Sequence, residues 1–280
     1  VKWGEYEIHA RTPSAGGGFD AVASHRDRAL RLWVGAEGLG SPDAIADVAQ
    51  RLSRVYQANL PRVLGSDFVE GRAVLRVAPQ EGRTLSERLR DGELAVPESI
   101  DAIQSVGAAL VKLHRAGIVH GAVDEAEVFF ADGGPVFLLH GGMMPFLETR
   151  KPRSPEAHGT DVRDEAGDVF GLARLLARLS IGVDPFEAPT GSAPAAVVRE
   201  DQLPRELPEG FRRFLTRSLA IDPSARIRRA DEFAADLRVI RASWASSAPE
   251  RRASPGPTRL AVAVAVLVAG VWAWSRGCSP

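Results

Sequence analysis

The sequence predicts an α+β fold, with short strands gathered in the first third and helices dominating the rest. Three observations carry that expectation. Tyr6 to Ala10 alternates as a half-buried strand does, and Ala29 to Trp33 and Ala73 to Val77 read as further strands. Ile100, Ile103, Val106, Leu110 and Leu113 recur at helical spacing, and Gly117 stands where a C-terminal glycine ends a helix. Two short apolar runs follow, 128–130 and 136–139, joined by Asp132-Gly133-Gly134, the chemistry of a tight hairpin turn.

The remaining elements follow in order. Between the first two strands lies Ala15-Gly16-Gly17-Gly18-Phe19-Asp20-Ala21-Val22. Residues 44–56 read as a helix with Ile45, Val48, Leu52 and Val55 on one face. Thr84 and Glu87 have the spacing of a capping box at the start of another helix. A last helix is expected from Ala230 to Ile240. Ser243 to Arg259 is rich in Ser, Ala, Pro and Arg, with little to bury, and reads as a linker. Leu260 to Trp274 is then apolar or glycine on every face. Fifteen helical residues reach only about 22 Å, short of a hydrocarbon core of roughly 30 Å. Arg251, Arg252 and Arg259 before the run, and Trp272, Trp274 and Arg276 at its end, are the flanks of a membrane span.

Composition bounds the function. A chain of 280 residues that is 45% hydrophobic can bury a sizeable core. Its net charge of −1 gives no electrostatic ground for nucleic-acid binding. Lys2, Lys112 and Lys151 are the only lysines, so no lysine lies between the second residue and the middle of the chain. The single cysteine, Cys278, excludes an internal disulfide framework. Residues 1–20 contain no apolar core of a secretory signal, and the chain opens on Val1 rather than Met.

The block His114 to Gly142 resembles the catalytic heart of the bacterial Hanks-type (eukaryotic-like) Ser/Thr protein kinases. In that family Gly-Ile-Val-His opens the H-R-D-L-x-x-x-N loop, and a short hairpin leads to D-F-G. The same frame here reads Gly117-Ile118-Val119-His120-Gly121-Ala122-Val123-Asp124-Glu125-Ala126-Glu127 and then His140-Gly141-Gly142. Ser154-Pro155-Glu156 resembles the A-P-E end of an activation segment. Asp168-Val169-Phe170-Gly171-Leu172 and Leu219-Ala220-Ile221-Asp222-Pro223-Ser224-Ala225-Arg226 resemble two later elements of the large lobe. The resemblance spans Tyr6 to about Ala242. It implies a bilobal protein-kinase-like fold, with a small β-rich lobe over 1–78 and a larger helical lobe over 79–242. A juxtamembrane linker over 243–259, a transmembrane helix over 260–275 and a tail over 276–280 complete the expected layout.

The resemblance also shows what is missing. Phosphoryl transfer relies on positioning and charge neutralisation by a small set of groups. Arg31 stands at the position of the phosphate-binding lysine, and Val48, within a residue, at that of its glutamate partner. Ala122 replaces the catalytic aspartate, Glu127 the metal-binding asparagine and His140 the D-F-G aspartate. Ala15 and Asp20 replace the first and third glycines of the phosphate loop. What remains for a nucleotide is a vestigial adenine slot of Ala15, Gly17, Val22, Ala29 and Val77. Structural positions are retained: His120 as the loop histidine, Asp168 as the aspartate that holds the loop backbone, and Glu156 with Arg226 as a buried ion pair.

Retained architecture beside lost chemistry implies a catalytically inactive pseudokinase, anchored in the cell membrane by a single pass with its kinase-like domain cytoplasmic. It would work as a binding or regulatory scaffold. Expected partners are proteins, such as an active kinase or a phosphopeptide-binding protein, and no nucleic acid. No cofactor and no metal site are expected, although ATP without magnesium remains allowed. The alternative is a divergent but active Ser/Thr kinase. Thr149, among Arg150, Lys151 and Arg153, reads as part of an ordinary basic loop.

Overall fold

The computed structural model describes residues 1–14, 16–55, 58–92, 94–147, 154–157, 163–182, 184, 186, 198, 200 and 203–247. Ala15, Tyr56, Thr149, Lys151, the apolar run over 260–274 and Cys278 lie outside the described residues, and so do the expectations that rest on them. The first unit, Val1–Arg241, holds both lobes.

The small lobe is an antiparallel sheet of six strands. Chain order gives β1 (Lys2–Trp3), β2 (Tyr6–Pro13), β3 (Phe19–His25), β4 (Arg28–Val34), β5 (Val63–Val69) and β6 (Arg72–Val77), and spatial order is β1-β2-β3-β4-β6-β5. Register fixes which side chains reach the lobe boundary: Asp20 lies opposite Trp33, and Val22 opposite Arg31. Buried Tyr6, Phe19, Ala21, Ala23, Leu30, Leu32, Val34 and Val74 make the core on the sheet's inner face.

Between β4 and β5 runs α1 (Pro42–Ser53). Ser41 caps it by accepting a bond from the Ala44 amide at 3.2 Å, and Pro42 pre-sets its first turn. It starts two residues before the expected 44 and stops at Ser53, so Val55 falls outside it. Ile45, Val48, Ala49 and Leu52 are its buried face.

Beyond β6 the chain enters the large lobe through β7 (Gly82–Thr84), which pairs with β8 (Val128–Ala131), itself paired with β9 (Val136–Leu138). The capping box is formed on both sides, Thr84 N to Glu87 Oε2 at 2.7 Å and Glu87 N to Thr84 Oγ1 at 3.2 Å, and it opens α2 (Leu85–Asp91). The central helix α3 (Val96–Arg115) buries Ile100, Ile103, Val106, Leu110 and Leu113, and Gly117 follows at φ +68°. α4 (Glu165–Ile181) is capped by Asp164 and ended by Gly182 at φ +76°. α5 (Glu209–Ser218), absent from the sequence-based expectation, buries Phe211, Phe214 and Leu215. The last helix, α6 (Ala230–Ser247), runs seven residues past its expected end at Ile240 into the expected linker, because Arg241 to Ser247 contains no glycine or proline to stop it.

Candidate functional site

The loop after α3 is built around one carboxylate. Asp168, on the first turn of α4 and 2% exposed, accepts bonds from the His120 amide at 2.8 Å and the Gly121 amide at 2.6 Å. His114 Nε2 meets the same group at 2.9 Å. His120 is fully buried; its Nε2 donates to Leu139 O at 2.7 Å and its Nδ1 accepts from the Ala122 amide at 3.3 Å. Both ring nitrogens are thereby engaged, and the ring is a structural strut rather than a base. Ala122 brings only a buried methyl.

At the lobe boundary His140 sits at φ +53°, in the left-handed region that a non-glycine residue seldom adopts. Its Nδ1 donates to Glu127 Oε2 at 2.6 Å and its Nε2 to Asp20 Oδ1 at 2.8 Å. One ring thus bridges a large-lobe carboxylate and a small-lobe carboxylate. Burial works against a charged imidazole, but the two carboxylates outweigh it and raise the His140 pKa to about 10. The ring is an imidazolium at neutral pH. Trp33 packs on it with ring centroids 4.8 Å apart. Arg31 lies 3.7 Å from the second oxygen of Asp20, with its guanidinium 5.5 Å above the Phe129 ring.

These groups edge an interlobe cleft of about 790 Å³ that reaches from Thr12 and Val22 to Gln80, Phe129 and Met143. Five carboxylates line it among the described residues, against Arg31, Arg90 and the charged His140. Magnesium wants free hard oxygens in octahedral array. Here both ring nitrogens of His140 already hold the nearby carboxylates, so the donor set does not fit a divalent cation. A triphosphate would meet a surplus of negative charge, and the tryptophan ring beside His140 offers no ammonium. The residues do not fit magnesium-ATP.

A third cluster lies away from the cleft. Arg226, with no exposed side-chain surface, donates to Glu156 through Nη1 at 2.8 Å and Nη2 at 3.1 Å, and to the Ala220 and Ile221 carbonyls. Phe170 lies 4.6 Å beneath the guanidinium. Burial pushes against the Glu156 carboxylate, yet its hydrogen bonds with Arg226 hold its pKa below the usual range.

No family model matches the chain. Solved structures do. The crystal structure of the Mycobacterium tuberculosis PknI kinase domain superposes with a TM-score of 0.66, covering 86% of this chain and 97% of that one at 20% identity. The fold is that of a protein kinase. A probable serine/threonine-protein kinase of Streptomyces coelicolor is 26% identical over 201 residues, which is 62% of this chain and 29% of that protein. The probable serine/threonine-protein kinase PknB of Corynebacterium glutamicum is 28% identical over 224 residues, 68% of this chain and 34% of that protein. These two relatives are bacterial Ser/Thr protein kinases. The matched stretch spans about a third of those relatives' length.

Set on the kinase fold, the expected site residues divide. Asp20, Glu127, His140, Arg31, Ala122 and Val22 all line the cleft. Arg31 does not face α1, where the glutamate partner was expected; it turns to Asp20, and Trp33 two residues on is the strand residue against His140. Val48 is buried over Gly142, where a Cβ would come within 2.7 Å of its methyl group. The expected adenine slot is only partly there. Ala29 is exposed at the far end of β4, Val77 is sealed in the sheet between Arg31 and Val63, and exposed Gly17 has its carbonyl bound by Arg72 at 3.2 Å. Gly16, not Gly17, reaches the cleft. The sequence frame missed Trp33 because strand alternation leaves both 31 and 33 on one face, and only the contact with His140 tells them apart.

Proposed function

We propose that this chain is a catalytically inactive kinase-like domain that acts by binding a protein partner in signalling. The observation that carries the proposal is the bridge Glu127–His140–Asp20, which puts an imidazolium where a phosphotransferase needs a divalent cation. Trp33 beside it and Ala122 in the loop leave neither a phosphate ammonium nor a proton acceptor. Partners are proteins, such as an active kinase or a phosphopeptide-binding protein; net charge argues against nucleic acid. The test is a thermal-shift titration with ATP, with and without magnesium, beside an autophosphorylation assay. Free ligand at 100 times its dissociation constant stabilises a fold by about 2.7 kcal/mol, which a melting curve detects. A shift that requires magnesium, or label transferred to protein and lost in Glu127→Gln, sinks the proposal. Either result favours the second reading, a divergent active Ser/Thr kinase, which the kinase relatives support.

Membrane anchoring belongs to the same proposal. Among the described residues no helix is long and apolar enough to cross a membrane, and the run over 260–274 lies outside them. Its composition and arginine flank support a single span with the kinase-like domain in the cytoplasm. An impermeant thiol reagent on intact cells should label Cys278. Labelling only after lysis reverses the orientation, and recovery in the soluble fraction removes the span.

A further inference from the structure

The chain has two methionines, and they are neighbours: Met143 and Met144, in the segment that follows His140. Met144 lines the cleft with 7% of its surface exposed, whereas Met143 keeps 1%. Arg163, just ahead of α4, meets Met144 over the loop after α3. Its Nη1 carries two hydrogens. One goes to Gly121 O at 2.6 Å and the other to Met144 Sδ at 3.4 Å. Gly121, at φ +77°, leaves the room for that meeting. A Cβ there would come within 2.9 Å of Arg163 Cδ and 3.1 Å of Met144 Cγ. Three stretches of chain thus converge to set a guanidinium against a thioether. A thioether is a poor acceptor, so a strong, charged donor is matched with a weak partner.

We propose that Met144 is an oxidation site whose sulfoxide is bound by Arg163. The oxidant is hydrogen peroxide, small enough to enter the cleft. The sulfur lone pair takes one peroxide oxygen as the O–O bond breaks, and the other oxygen leaves with both protons as water. Sulfur is oxidised by two electrons and the peroxide is reduced by two. The oxygen gained is a strong acceptor. With the S–O bond inclined to the N–S line, it falls within hydrogen-bond distance of Arg163 Nη1, and a weak contact becomes a charge-assisted hydrogen bond. Oxidised methionine ordinarily disrupts the packing around it. Here the donor is already in place. Met143 has the opposite prospect: among the described residues nothing donates to its sulfur, so its sulfoxide would bury an unpaired oxygen. Two residues beyond Met144, Phe146 O accepts from the small-lobe Ala36 amide at 2.7 Å. Met144 therefore lies between the large-lobe loop and a tie to the small lobe, and its oxidation state sets how firmly that segment is held. The inference does not depend on whether the domain transfers phosphate.

The test is limited treatment of the folded full chain with hydrogen peroxide, followed by peptide mass spectrometry and thermal unfolding. Met144 sulfoxide should form ahead of Met143 sulfoxide. The melting midpoint should rise by about 2–4 °C, the shift that one net hydrogen bond gives a chain of this size. Amide exchange at Ala36 should slow with it, and methionine sulfoxide reductase should return both to their starting values. Met144→Leu, treated alike, should show no rise, which sets aside oxidation at Met143 and Cys278. Arg163→Leu should turn the rise into a fall. Should Arg163→Leu fail to fold, the sign of the wild-type shift and its reversal by the reductase decide. No sulfoxide at Met144, Met143 oxidised first, a midpoint unchanged or lowered by Met144 oxidation, or a rise that persists in Arg163→Leu overturns the proposal.

Discussion

A histidine between two carboxylates is a charge arrangement whose sign can be tested. The His140 pKa is raised from 6.5 to about 10 because Glu127 and Asp20 outweigh the cost of burying the ring. A group raised in the folded state stabilises fully below its unfolded pKa, and the contribution is lost as pH climbs through the folded one. The stability of wild type over His140→Gln should therefore be greatest below about pH 6.5 and shrink steadily toward pH 10. One pKa unit corresponds to about 1.36 kcal/mol, so roughly 5 kcal/mol is the ceiling for this effect. Urea denaturation at several pH values measures it; a difference that grows with pH would refute the assignment. At this scale the sequence told half. That position 140 lacks a carboxylate was plain from the D-F-G frame, but that its ring would reach Asp20, 120 residues away, was not. Nothing local in Phe19-Asp20-Ala21 announces a partner in another lobe. Trp33 was missed for a similar reason: alternation names a face, not a neighbour.

Short elements with local causes were the most legible. Gly117, the Asp132-Gly133-Gly134 turn and the Thr84–Glu87 capping box carry their instructions within a few residues, and each formed where expected. β5 was overlooked because Gly65 interrupts it at a bulge and Ser66 and Asp67 break its alternation. α5 was overlooked although Phe211, Phe214 and Leu215 have helical spacing. Between elements, Asp168 acts as the joint of α4 with the loop after α3. Asp168→Ala should cost on the order of 3–5 kcal/mol, since it strands two buried amides and His114. Amide exchange at His120 and Gly121 should accelerate more than at residues in the middle of α3; uniform acceleration would mean global destabilisation instead. Glu156→Ala should likewise cost about 3–5 kcal/mol, because it leaves the buried Arg226 cation with carbonyls alone. Glu156→Gln should cost less, because the amide oxygen still accepts one bond. Equal losses in chemical denaturation would show that charge, not hydrogen bonding, dominates.

For the whole molecule the decisive feature is that the two lobes are joined across the cleft as well as through the hinge. The Ala36 amide donates to Phe146 O at 2.7 Å, and His140 reaches Asp20. Asp20→Asn should keep the fold of each lobe and loosen their association, seen as faster exchange at hinge residues 78–82 with β3 and β4 still protected. Unchanged hinge exchange would mean that the backbone contacts alone hold the lobes. Lobe order was legible from the chain, because strands precede helices; the crosswise tie was not, because it joins residues distant in sequence. That tie has a kinetic meaning. A cleft closed by a diffusible ion or nucleotide shuts to a degree set by the concentration of that ligand. A cleft closed by Asp20, His140 and Glu127 carries its own counter-ion covalently, so its opening is a unimolecular equilibrium with no concentration term. On the inactive-domain proposal, chelators, nucleotide depletion and dilution would all leave it unmoved, and a binding surface that spans both lobes would be presented at constant strength whatever the energy state of the cell.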